Sequence, residues 1–167
     1  MTLTALIPSR RRTLPDPLAR HRWPAGTQAT TTDVVVVGAS MVGLARRCGT
    51  PCVHLGVAAT PRVHAGTDTD AVTVVVTTVR TAARGLDGAL LLELDADLHR
   101  VHPVWDEARL VGRASTAPVA LAHAVGAGAP HATPAAHLPG DVAAGDLLAV
   151  PCAGAVALHQ VLPRAAR

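Results

Sequence analysis

The sequence predicts a mainly-β domain with one or two short helices, arranged as a barrel or sandwich. Three observations carry this expectation. Several short β-branched runs are present, of which residues 71–79 (AVTVVVTTV) are the strongest; Gly, Pro and Asp turn signals separate them; and one stretch alone carries clear helix start and stop residues.

Taken in order, residues 1–31 mix Arg, Pro and Thr without periodicity and read as a poorly ordered lead-in, with the domain proper over 32–167. Residues 34–37 (VVVV), stopped by Gly38, predict a buried strand. Ser40 is a suitable N-cap for a short helix through Arg47 that places Met41, Leu44 and Ala45 on one face; Gly49 ends it and Pro51 bars its continuation. Residues 52–55 are the next strand, and 56–70 a loop. Residues 71–79 then pair with 88–94 (GALLLEL) across a turn at Arg84, Gly85 and Gly88. Residues 104–112 and 119–125 are further strands, and 126–137 (GAGAPHATPAAH) a Gly/Ala/Pro loop. Residues 146–150 and 154–158 are two last strands, divided by Pro151 and Cys152. No internal repeat is present.

A chain of 167 residues fits one compact domain. Its apolar residues are mainly Ala, Val and Leu; Phe and Tyr are absent, and Trp23 and Trp105 are the only aromatic anchors. Lys and Asn are also absent, and Ile7 is the only isoleucine. Arg10, Arg11, Arg12, Arg20 and Arg22 face only Asp16 in the first 22 residues, while the remaining 145 hold ten arginines against eleven acids. Because Pro8, Pro15 and Pro17 interrupt the basic run, it reads as a solvated terminus rather than a nucleic-acid surface. No apolar stretch approaches the roughly 20 residues of a membrane span, and no secretory signal is read. The expected location is the cytoplasm, with neither nucleic acid nor membrane as a partner. Three cysteines, Cys48, Cys52 and Cys152, make no disulfide framework and suit a reducing compartment.

Residues 33–45 (DVVVVGASMVGLA) approach a dinucleotide-binding fingerprint, but Ser40 takes the place of the second glycine and the following helix is cut short. Cys48, Cys52 and His54 include soft metal ligands, yet no second pair stands at matching spacing, so buried free thiols are expected. The nine histidines are scattered; His99 and His102, the closest polar pair, read as surface residues. Neither Ser40 nor Ser115 sits in a nucleophile elbow. Without lysine there is no phosphate-binding loop of the Walker type.

Two groups of residues, taken together, carry a resemblance. His21-Arg22-Trp23-Pro24, the valine run and residues 44–55 (LARRCGTPCVHL) stand at one end; residues 107–118 (EARLVGRASTAP) and 138–156 (LPGDVAAGDLLAVPCAGAV) stand at the other. These resemble the opening and the C-terminal domain of diaminopimelate decarboxylases, pyridoxal-phosphate (PLP) enzymes of fold type III (group IV decarboxylases). The resembling segments cover roughly half of the chain. The resemblance implies that both ends combine in one β-domain, with the loop at 56–70 standing where the family inserts its (β/α)8 barrel. Such a barrel takes roughly 200 residues or more.

The family activity is PLP-dependent decarboxylation of diaminopimelate to lysine. Its cofactor is tethered on a lysine amine, which this chain lacks. By the resemblance, the family's Cys-Glu-x-x-Asp segment falls on Ala129, Pro130 and Thr133, and Val156 replaces the Tyr of its Gly-Ala-Tyr motif. Its substrate-contacting Arg-Pro-x-Leu-Tyr is echoed by His102-Pro103-Val104-Trp105, and the preceding Asp-Gly-Gly by Asp95-Ala96-Asp97. The expectation is a truncated, non-catalytic relative with no catalytic, cofactor-binding or metal residues and no bound PLP. Its expected partners are a second copy or an intact decarboxylase subunit. The alternatives are a regulatory module pairing with such a subunit, and a dinucleotide-binding fragment built on residues 33–45.

Overall fold

The computed structural model describes residues 2–59, 70–126 and 136–163. The fold is mainly β, with a few short helices, as the strand signals predict. A short helix α1 (Leu3–Leu6) opens the chain, followed by 3-10 turns at Pro8–Arg12 and Arg20–Arg22. Strands β1 (Thr27–Ala29), β2 (Val34–Val36) and β3 (Ala39–Ser40) form a small antiparallel sheet, and α2 (Met41–Cys48) follows. The large sheet contains β4 (Cys52–Val57), β5 (Ala71–Arg84), β6 (Leu90–Leu94), β7 (His102–Pro103), β8 (Arg109–Val111), β9 (Val119–Gly126), β10 (Ala136–Pro139) and β11 (Leu147–Ala153). A short helix α3 (Leu158–Val161) comes last.

The large sheet is organised around β5. Its first half pairs with β4 and its second half with β6, while β11 lies antiparallel along residues 72–78. A register shift between Val79 and Thr81 marks the change from one half to the other, and irregularities of this kind bend a strand and raise its twist. The sheet therefore curls. From β6 it continues through a parallel pair to β9 and then to β10, and β10 comes round to approach β8 and the 3-10 turn at Trp105–Glu107.

The near-continuous apolar run of β5 follows from burial on both faces. Val75 and Val79 face one core with Leu148, Val150 and Cys152 of β11 and with Leu90, Leu92 and Leu94 of β6, inside the curl. Val74 and Val76 face a second core with Trp23, Val34, Val36, Met41 and Ala149. The small sheet and α2 thus lie on the outer face of the large sheet, and no strand–helix–strand layer with parallel strands forms here.

Several local expectations need correction. Within the lead-in most residues are exposed, but Trp23 is fully buried, Arg11 is buried, and Ala25 donates its N–H to Val57 O at 2.6 Å. The approach of Pro24 to β4 is so close that a Cβ on Gly56 would stand 2.6 Å from the Pro24 Cβ. The expected loop at 56–70 begins later, because β4 runs through Val57; residues 60–69 lie outside the described residues. The expected strand over 104–112 is a 3-10 turn followed by the three residues of β8.

The expected break at Pro151 is absent, and the strand proposed for 154–158 is instead the approach to α3. Proline is tolerated inside β11 by its position. Pro151 O accepts the N–H of Val104, so its amide edge faces the side where β7 and β8 pair with β11. Those two strands meet β11 at residues 152–153 and 147–149, and Pro151 falls in the gap, so no ladder bond requires the missing N–H.

Candidate functional site

The fingerprint-like stretch at 33–45 is a hairpin. Val36 pairs with Ala39, so Val37 and Gly38 form a two-residue turn with φ of 48° and 81°. Asp33 accepts hydrogen bonds from the N–H groups of Val34 and Val42 at 2.8 and 3.1 Å and from the Ser40 hydroxyl, while Ser40 Oγ accepts from Gly43 N at 2.8 Å. The first amides of α2, which a pyrophosphate would need, are thus engaged by side chains of the chain itself. A carboxylate stands beside them. This arrangement argues against the dinucleotide reading.

The cysteines do not converge on a metal site. Cys48 is exposed, Cys52 and Cys152 are buried, and no group of three His, Cys, Asp or Glu side chains suited to a metal occurs among the described residues. Burial, with Cys48 and Asp95 nearby, pushes the Cys52 thiol up to about 11. Burial alone pushes Cys152 up to about 12. Of the positions aligned with family catalytic residues, Ala129, Pro130 and Thr133 lie outside the described residues. Val156 is buried, and its N–H donates to Thr73 Oγ1 at 2.9 Å, which anchors the turn after β11.

Carboxylates serve as staples, and Asp95 among them is buried. Asp95 accepts from Thr50 Oγ1, Thr77 Oγ1 and Thr78 N at 2.5, 2.6 and 2.9 Å, joining the start of β4 to the bend of β5 and the end of β6. Arg113 donates to Asp146 through Nε and Nη2 at 2.8 and 2.6 Å and reaches Asp141 Oδ2 at 3.1 Å; Ser115 also donates to Asp141. Burial pushes the Asp141 carboxyl up, but the hydrogen bonds from Ser115 and Arg113 outweigh it and hold the group below its ordinary range. Its partners raise Arg113 further above the usual guanidinium range.

Two concavities stand out among the described residues. The larger, about 830 Å³, runs between the lead-in and β8 and β10. Its arginines pair internally, Arg11 with Asp16, Arg109 with Glu107, and Arg113 with Asp141 and Asp146, although the buried Nε of Arg109 makes no hydrogen bond. The smaller, about 570 Å³, lies beside Trp105 and is bordered by His21, Arg22, His99 and His102. His99 and His102 are exposed, as the sequence suggested, but they share this cavity with a histidine from the lead-in. Nothing local in the sequence signals that meeting. Residues 102–105, the echo of the family's substrate-contacting stretch, form part of the same wall.

No protein-family model matches the chain, and no curated protein matches it. No helix of the described residues is long and apolar enough to cross a membrane.

Proposed function

We propose that the chain is a non-catalytic, β-domain-like relative of diaminopimelate decarboxylase from which the PLP-binding barrel is missing. One observation carries this reading. Ala58 and Asp70 are hydrogen-bonded neighbours, Ala58 N to Asp70 O at 2.5 Å, and they close the antiparallel pair in which Val57 stands opposite Ala71. Adjacent chain ends of this kind are where a whole domain can be inserted or removed without disturbing the strands on either side. The two stretches of resemblance also meet in one sheet, since β4 and β11 both pair with β5.

PLP does not fit the residues present. The chain has no lysine amine to tether it, and the cavity beside Trp105 cannot replace that bond with histidine or arginine. We expect the purified chain to give no absorbance beyond that of free PLP and to release no carbon dioxide from diaminopimelate above the rate with free PLP. Lysine formation by the chain alone would overturn the reading.

A second reading, a module that pairs with a second copy or with an intact decarboxylase subunit, is favoured by apolar side chains on the outside of the curl. Leu91 is 42% exposed, Val119 38% and Leu121 41%, on the adjacent strands β6 and β9. Light scattering of the chain with and without an intact decarboxylase distinguishes the two readings.

A further inference from the structure

We infer that the cavity beside Trp105 is a binding site for a small organic acid with an apolar body, a function independent of the decarboxylase reading. The hydrogen-bonding groups that border the cavity divide into those already used and those still free. His21 Nε2 accepts from Arg22 Nε at 3.4 Å, which leaves the His21 proton on Nδ1 as a donor. Arg22 Nη1 is committed to both oxygens of Asp106, at 2.7 and 2.6 Å, while Nη2 makes no bond. The His102 ring has no hydrogen-bond partner among the described residues, so its ring N–H is also available.

His99 plays a different part. Its Nδ1 bonds the buried carboxylate of Asp97 and its Nε2 accepts from Arg100 Nε at 3.3 Å, so the ring is held in place and forms a fixed wall. No carboxylate borders the cavity: Asp97 lies under His99, and Asp106 is turned to Arg22. The available groups therefore match an oxyanion better than a cation. Leu98, Val101, Val104 and Trp105 supply the apolar remainder, and about 570 Å³ is within the usual size range of small-molecule sites. An acid without an apolar portion would leave these walls uncovered.

The probe is benzoate, added to the full chain labelled with 13C and 15N, with histidine ring and indole signals followed by NMR. Benzoate should shift His21, His102 and Trp105 in one saturable process. Benzamide, of the same shape without the charge, and benzylamine, of opposite charge, should bind at least about tenfold more weakly, the factor expected when a charge-assisted hydrogen bond is lost. His102→Ala and His21→Ala, both at exposed positions, should each weaken benzoate about tenfold while leaving the melting temperature unchanged. His137→Ala, in the other concavity, should bind as the parent does. The inference is overturned if benzoate gives no saturable shift, if benzamide matches benzoate, or if both histidine variants bind it as well as the parent.

Discussion

The indole N–H of Trp23 donates to Oε2 of Glu107 over 2.8 Å, between residues 84 apart in the chain. The same oxygen accepts from Ala19 N at 3.1 Å, so one buried carboxylate oxygen ties the lead-in to the body twice, and it also accepts from Arg109 Nη2 of β8 at 3.2 Å. Glu107→Ala would leave a buried indole and a backbone N–H without their acceptor and would remove one of the acceptors of the Arg109 guanidinium. The expected cost is about 3–5 kcal/mol, read from urea unfolding followed by tryptophan fluorescence. Glu107→Gln keeps one acceptor oxygen and should cost about half as much.

Val37 occupies the left-handed region in a two-residue hairpin turn, where a β-branched side chain is strained and Asn-Gly is the favoured pair. Its side chain is 74% exposed and contributes little packing. Val37→Asn should therefore stabilise the protein by about 1 kcal/mol, seen as a higher urea midpoint with an unchanged slope. A lower midpoint would show that the valine has a packing role.

The thiols set the alkaline limit of stability. With neither Tyr nor Lys in the chain, the side chains that ordinarily titrate between pH 9 and 12 reduce to cysteine. Burial favours the protonated form of Cys52 and raises it from 9.0 to about 11, so the folded state holds this proton more tightly than the unfolded one. That contribution is complete below pH 9.0 and is lost as the pH rises through about 11. The melting temperature should fall over this window. At pH 8, iodoacetamide should modify the exposed Cys48 quickly and reach Cys52 and Cys152 only in denaturant. Equal rates for all three in the folded protein would contradict the burial.

What was legible in the sequence is what local chemistry decides. The valine run, the Ser40 cap with its Gly49 stop and the hairpin between β5 and β6 each carry their own signal, and each is found within a few residues of its expected place. β10 carries no strand signal, because Ala136, His137 and Pro139 lack β-branching and follow a Gly/Ala/Pro stretch. Pro151 signals a break inside β11, because its tolerance there depends on a gap between two other strands. The order of the lead-in depends on Glu107, and the cavity on bringing His21 beside His102. These are long-range meetings that no window of neighbouring residues can show.

The place of β11 governs when the protein can be built. β5 emerges early and pairs with β4, but its other edge waits for a partner about seventy residues downstream, where Leu147 meets Thr78. At ribosomal rates of roughly 5–20 residues per second, that wait is on the order of ten seconds or less. Throughout it, the newly made row Val72, Val74 and Val76 has an open edge and lacks the strand that later seals it. The nascent chain is therefore most prone to aggregate after β5 leaves the ribosome and before β11 follows, and its yield in a cell depends on what shields that edge in the interval.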